Sequence, residues 1–405
     1  WRGNLVARCH IGAVELDVLL PTSALTITPT PSMDRSSGPS AAVSSAVSAG
    51  LFPAGQAGLL SSAVQLGFVA GTLLMALSGA ADRFDPRRVF SASALLAGAS
   101  TLALVASGLD GHVPLLLRAL TGAALAGVYP IGMELVAGWS RSSLGLPMGL
   151  LVGALTLGSA MPNLFVAFGS SDWIVPIVMS AASAALSAIL ILFVALGPHH
   201  APPTRFRLAL AVGELRRPEI RRVTFGYLGH MWELYAMWAW VAAFLHWAAP
   251  AEIADRGVSI LAFTAIASGA LGCVAGGWIA DRVGKHRVIA VSLIVSGLCA
   301  ATVGLFASSN WFAVVFLVHV WGIAVIADSG NFSALASEYA DKRYLGTVLT
   351  LQVSAGFLTT FAVIQLVPVT VQLVGWRYAF AFLAIGPLVS LVSMRQDWLP
   401  NRRPR

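Results

Sequence analysis

The chain has 405 residues, 57% hydrophobic and only 11% charged, with 25 Lys and Arg against 18 Asp and Glu for a net charge of +7. A soluble domain carries about 25% charged residues. The composition therefore excludes a disordered chain, a disulfide-stapled secreted domain and an ordinary soluble enzyme, and points to a polytopic α-helical membrane protein.

In chain order, residues 1–54 are atypical. Glu15, Asp17, Asp34 and Arg35 interrupt the segment, and Pro21, Pro29 and Pro31 break it. It is read as a truncated or degenerate first helix in a chain that starts at Trp1 rather than Met. Eleven apolar stretches follow: roughly 55–81, 89–108, 113–138, 143–168, 174–197, 223–248, 257–280, 288–307, 311–336, 344–369 and 375–394. Each suffices to cross a hydrocarbon core about 30 Å thick. Backbone in lipid must bond to itself, so such runs read as helices. The short alternating segments of a β-barrel are missing.

Alternate loops, together with the tail over 395–405, hold 19 of the 25 basic residues, and the opposite loops hold only Arg256 and Arg377. That split sets the basic loops and the C-terminus in the cytoplasm. The +7 is thus a topology signal. No loop is long enough to be a basic nucleic-acid-binding domain. The longest loop, 198–222, divides the chain, and Ala81-Asp82-Arg83 before Arg87-Arg88 recurs as Ala280-Asp281-Arg282 before Lys285-His286-Arg287. The expected organisation is a helix bundle over 55–197, a cytoplasmic linker over 198–222, a six-helix bundle over 223–395 and a tail over 396–405. Parallel repeats of this kind face each other across a central cavity.

The second repeat copy, Gly277 to Arg287 with Gly284 at its turn, resembles the signature loop of the major facilitator superfamily, and a bacterial member is expected. The first copy has Ser78 and Asp85 where the signature has glycine. Arg118-Ala119-Leu120-Thr121-Gly122 resembles the family's arginine motif, and Gly153, Gly158 and Pro162 loosely resemble its antiporter motif. The resemblance implies an all-α fold of two pseudo-symmetric six-helix bundles that rock about a central site. It implies a cytoplasmic gate of Asp82, Arg83, Arg87, Arg88, Gly277, Asp281, Arg282, Gly284, Lys285 and Arg287, with Glu134 packed close by.

Ionisable residues inside spans are costly and default to functional candidates. Those well inside are Arg118, Glu134, Glu233 and Asp328. At about 100° per residue, Arg118 and Glu134 fall on nearly opposite faces, with Tyr129 on the Arg118 face. Arg118 either attracts an anion or holds a helix interface. His230 and Glu233 share a face that Met237 and Trp240 continue. Glu233 lies about 15 Å into its span, where transporter sites sit. Glu233, with His230 and Asp328 as partners, is expected to carry a proton, and Asp328 and Asn331 to line the cavity. Tyr129 is a further cavity candidate. A His–Glu pair locked to a neighbouring helix is the plainer alternative. Cys9, Cys273 and Cys299 have no metal or redox spacing, and His230-x-x-Glu233 lacks a third zinc ligand. No metal, cofactor or enzymatic activity is expected.

The expected function is secondary active transport of a small organic or inorganic anion across the bacterial inner membrane by a multi-pass monomer. Its partners are protons, a small-molecule substrate and the lipid bilayer, not nucleic acid. The alternatives are proton-driven efflux of amphipathic compounds, an inactive or receptor-like fragment, and a membrane-embedded enzyme.

Overall fold

A computed structural model describes residues 56–78, 84–139, 145–168, 174–198, 213–341 and 345–397. The readings placed on residues 1–54, on Asp82 and Arg83, and on most of the linker fall outside them. The described residues contain helices and turns and no strand.

The helices are α1 (Gln56–Ser78), α2 (Pro86–Ser107), α3 (His112–Leu125), α4 (Tyr129–Ala137), α5 (Gly145–Phe168) and α6 (Ile174–Leu190) in the first half. The second half contains α7 (Pro218–Ala248), α8 (Asp255–Ala267), α9 (Gly269–Val283), α10 (Lys285–Thr302), α11 (Trp311–Ala327), α12 (Ser329–Tyr339), α13 (Leu345–Val374), α14 (Trp376–Ala379) and α15 (Ile385–Ser393). Eight helical stretches are long and apolar enough to span a membrane, and Ser62–Ser78 and Ile177–Phe193 are shorter apolar helices. With α7 these occupy the eleven predicted segments.

Three predicted spans are not continuous. The stretch 112–137 breaks between α3 and α4, 255–283 breaks at Ser268, and 311–339 breaks at Asp328. The span after Gly375 contains a 3₁₀ stretch between α14 and α15. Hydropathy registers these as single runs because a turn of one to three residues, even one carrying Asp328, barely lowers the average over a span. The predicted start of α7 at 223 moves to 218, where Pro218 sits in the first turn and Glu219 complements the helix N-terminus.

Local chemistry explains several ends. Asp85 caps α2 by accepting from Arg87 N at 2.9 Å, and Pro86 supplies the first turn. Asn310 caps α11 by accepting from Ala313 N at 3.0 Å. Gly284 adopts φ +96° between α9 and α10, a conformation that favours glycine. Asp85, at the matching place in the first repeat, has φ −56°. A side chain is tolerated there because the chain turns by a capped helix start rather than through the left-handed region.

Helices approach closely through small residues. Gly67 and Gly71 of α1 lie against the backbone at Ala119 and Ala123 of α3, and Gly272 and Gly276 of α9 against Ile323 and Ala327 of α11. This packing suits a bilayer, where helix association relies on close van der Waals fit. Large apolar residues turn outward, as with Phe312 at 84% exposed, while Arg118 is 0% exposed. That is the distribution of a lipid-facing surface around a polar interior.

The halves meet on two sides. Across one, α5 packs on α8 and α9, and Thr156 Oγ1 lies 3.7 Å from Cys273 Sγ. Across the other, α1 packs on α13. There Phe68 stacks on Phe357 at 4.1 Å, and Gln365 Nε2 donates to Ser62 Oγ at 2.6 Å. One apolar cluster mixes both halves, including Phe68, Ile131 and Leu135 with Tyr227, Met231 and Phe332. A second lies mostly in the second half, joined by Val152, Leu155 and Ala160 of α5.

Candidate functional site

A buried polar group lies where α7 crosses the break between α11 and α12. His230 and Glu233 stand one turn apart on α7, each 1% exposed. Asp328, also 1% exposed, occupies the break, and its carbonyl accepts from Asn331 N at 2.9 Å and Phe332 N at 3.2 Å. The helix resumes at once, so the interruption is a single tight turn. Interrupted helices at membrane depth are where transporters place polar binding groups.

The structure divides the expected Glu233–His230–Asp328 group into two arrangements. His230 Nδ1 lies 2.9 Å from Asp328 Oδ1, an ion-pair distance at which the oxygen still lacks a well-aligned hydrogen bond. Glu233 turns elsewhere. Its Oε1 accepts from Trp321 Nε1 at 2.7 Å and its Oε2 from Ser296 Oγ at 2.9 Å. Trp321 is 0% exposed and packs edge-on against Phe380. Glu233 thus ties α7 to α10 and α11 within the second half.

Neither Glu233 partner was legible in the sequence. Helical phase, moreover, does not carry past the break at Asp328. Ser296 carried no signal at all. Phase also misleads in the first half, where the α3–α4 break lies between Arg118 and both Tyr129 and Glu134. The angular relations predicted across it do not transfer.

The other candidates are distributed. Met237 is 0% exposed within the second-half core. Trp240 Nε1 donates to Ile364 O at 3.1 Å, which joins α7 to α13. Asn331 is 2% exposed, and its Nδ2 donates to Ala327 O at 3.3 Å. Tyr129 is half-buried and packs against both apolar clusters. Arg118 is fully buried on α3, one turn before Thr121, whose hydroxyl meets Ser100 Oγ at 2.8 Å. Glu134 is half-buried on α4. A row of rings, Phe68, Phe357, Tyr235 and Trp238, runs from α1 through α13 to α7.

At the end bearing the basic loops, Asp281 Oδ2 accepts from Leu146 N at the start of α5 across a long 3.4 Å contact. A carboxylate there complements the orphan N–H groups and partial positive charge of a helix N-terminus. Gly145 and Gly277 touch backbone to backbone beneath it, leaving no room for a side chain. Lys285 Nζ meets Glu338 Oε1 at 2.5 Å, and His286 Nε2 meets Tyr339 Oη at 3.0 Å, so the start of α10 is tied to the end of α12. Arg282 lies over the Trp278 ring at 3.5 Å, and Arg88 and Arg287 are exposed. Arg87 pairs with Asp85 at 2.7 Å and reaches Val194 O at 3.3 Å. The Arg87 side-chain hydrogen bonds hold the Asp85 carboxyl below the ordinary carboxylate range. Among the described residues no group of three or more His, Cys, Asp or Glu could hold a metal ion.

Comparison with known proteins places this geometry. A family model described as Major Facilitator Superfamily matches residues 32–364 and 253–405. The cis,cis-muconate transport protein of Acinetobacter baylyi is 31% identical over 131 residues, which are 32% of this chain and 30% of that protein. The benzoate transport protein of the same organism is 31% identical over 123 residues, 29% of this chain and 26% of that protein. The facilitated glucose transporter member 10 of solute carrier family 2 from Danio rerio is 32% identical over 126 residues, 30% of this chain and 24% of that protein. The matched regions thus span less than a third of these curated relatives. A crystal structure of the nucleoside transporter NupG aligns at a TM-score of 0.67 with 15% identity, covering 96% of this chain and 99% of that one. This likeness shows the fold.

Proposed function

We propose, from the premise that this chain belongs to the Major Facilitator Superfamily, that it is a proton-coupled secondary transporter of small organic carboxylates, working by alternating access. The observation that carries the reading is the buried polar group of α7, α11 and α12 at a helix break beside the seam between the halves. A bilayer span retains such groups when they bind something that arrives and leaves. The carboxylate assignment draws on the relatives named for muconate, benzoate and 3-(3-hydroxy-phenyl)propionate, all of which are carboxylates.

In this reading the buried Arg118 contributes positive potential to an anion's path. His230, Asp328, Asn331, Met237, Trp240 and Tyr129 form or support the binding region, and Glu233 holds α7 beside it through Trp321 and Ser296. Asp281 on the α5 N-terminus, with Gly277 against Gly145, forms a contact that one state makes and the other breaks. The basic loops face the cytoplasm, with the chain in the inner membrane. The signature residues Asp82, Arg83, Arg87, Arg88, Glu134, Arg282, Gly284, Lys285 and Arg287 shape the rest of that gate.

The test is uptake of radiolabelled cis,cis-muconate by proteoliposomes holding the full chain under an imposed pH gradient, acid outside. Accumulation above equilibrium that a protonophore collapses supports the reading. Equal uptake with and without the gradient refutes the coupling. Failure to take up muconate, benzoate and 3-(3-hydroxy-phenyl)propionate alike refutes the substrate class.

A further inference from the structure

We propose that His230, oriented by Asp328, takes the coupled proton on Nε2 and holds the substrate carboxylate with the N–H so formed, while Glu233 is a positioning residue that anchors α7. This rests on the carboxylate-transport reading above and assigns its proton to one atom.

The argument starts from the 2.9 Å between His230 Nδ1 and Asp328 Oδ1. Against an ionised Asp328 two lone pairs at that distance repel, so Nδ1 carries a hydrogen, directed off the line to Oδ1. In the neutral imidazole the other nitrogen is then an acceptor. His230 Nε2 is buried and has no hydrogen-bond partner among the described residues. Protonation there turns an acceptor into a donor. A neutral His230 offers a carboxylate only a lone pair, beside the Asp328 charge. A protonated His230 offers an N–H and a compensating charge. One proton offsets one carboxylate of the substrate, whereas the anion alone would bury a further uncompensated negative charge at large cost. Proton and anion are therefore obliged to enter together, which is the linkage a symporter needs.

Position supports the assignment. Two residues past Asp328, Gly330 faces Met148 and Gly149 of α5, so the pair lies at the seam between the halves. Asn331, 2% exposed, has an Oδ1 without a partner among the described residues, so unmet polar capacity gathers at this break. Glu233 differs on both counts. Each of its oxygens already accepts a hydrogen bond, from Ser296 and Trp321, and both partners belong to the second half. The other ionisable groups near the pair are Tyr227 beside His230, and Glu233 of α7 and Cys273 of α9 near Asp328. The helices α5 and α13 carry no charged residue, and Phe332 of α12 covers the ring at 5.7 Å.

The experiment is benzoate binding to the full chain in lipid nanodiscs, read by tryptophan fluorescence from about pH 5 to about pH 9, the range in which histidine changes charge. The wild type is expected to lose affinity about tenfold per pH unit on the alkaline side, the slope for one linked proton. His230→Gln, whose amide donates at every pH, is expected to bind more weakly and without a pH slope. Glu233→Gln is expected to keep the slope. If His230→Gln does not fold, Asp328→Asn carries the test, with binding weaker by at least about tenfold. A wild-type slope in His230→Gln, a lost slope in Glu233→Gln, or unweakened binding in Asp328→Asn overturns the proposal. Benzoate binding by the wild type with no pH dependence overturns it while leaving carboxylate transport standing. No binding of benzoate, muconate or 3-(3-hydroxy-phenyl)propionate at any pH overturns the transport reading as well.

Discussion

Substitutions at Glu233 and Trp321 should separate an anchoring carboxylate from a substrate-facing one. Glu233→Leu removes the acceptor for the Trp321 indole N–H, which lies 2.7 Å away in a residue 0% exposed. A stranded buried donor costs about 1–3 kcal/mol. The Ser296 hydroxyl is spared, because it also reaches Leu293 O at 3.3 Å. Trp321→Phe alone removes the donor and leaves Glu233 with Ser296. The double variant removes donor and acceptor together, so it should cost less than the two single changes combined. Coupling energies between buried polar groups in membrane proteins average about 0.6 kcal/mol and reach about 1.7 kcal/mol. A 2.7 Å bond between two fully buried groups belongs at the upper end, so about 1–2 kcal/mol is expected here. Glu233→Gln keeps an acceptor for the indole, while the Ser296 hydroxyl turns to Leu293 O and accepts from the amide. It should cost about 1 kcal/mol or less. Reversible unfolding in mixed micelles measures all four proteins. Additivity within about 0.3 kcal/mol, or a Glu233→Gln as damaging as Glu233→Leu, would refute the anchoring role.

Other substitutions probe the seam and the loops. Gly277→Val should prevent the approach of α9 to Gly145, raise the reactivity of a cysteine introduced at Leu146 and slow transport, with folding retained as read by circular dichroism. Phe357→Ala should open the contact with Phe68 and Tyr235, cost about 3–5 kcal/mol as a large-to-small core change, and increase solute leak through proteoliposomes. Asp85→Ala should cost about 1 kcal/mol through the lost cap. Because the folded Asp85 carboxyl lies below its ordinary value of 3.8, its contribution is present above that value and fades as pH falls below it. A pH series of unfolding midpoints for wild type and Asp85→Ala should therefore converge in acid.

The sequence made the class of fold legible because hydrocarbon thickness and backbone satisfaction leave few solutions for long uncharged runs. It exposed the repeat because Asp281, Arg282 and Arg287 repeat the spacing of Asp82, Arg83 and Arg88. It also picked out His230, Glu233 and Asp328, since charge inside a span is conspicuous. What it concealed was the geometry across helix breaks. Asp328 ends one helix and begins the next, and residues 126–128 separate α3 from α4 between Arg118 and Glu134, so angular phase does not carry across either point. Ser296 and Trp321 were invisible as partners of Glu233. An indole or hydroxyl in a span is ordinary, and only tertiary packing shows which carboxylate it meets. The contact of Gly145 with Gly277 was half legible, as a signature glycine whose opposing surface lay 132 residues away in the other half of the chain.

The most direct test of the account is to load proteoliposomes with a trapped pH-sensitive dye and impose an inward cis,cis-muconate gradient with no initial pH difference. The account predicts acidification of the interior that follows muconate entry, disappears without the protein, and is lost in His230→Gln while persisting in Glu233→Gln. Muconate entry with no change in internal pH would contradict proton-coupled transport by this chain.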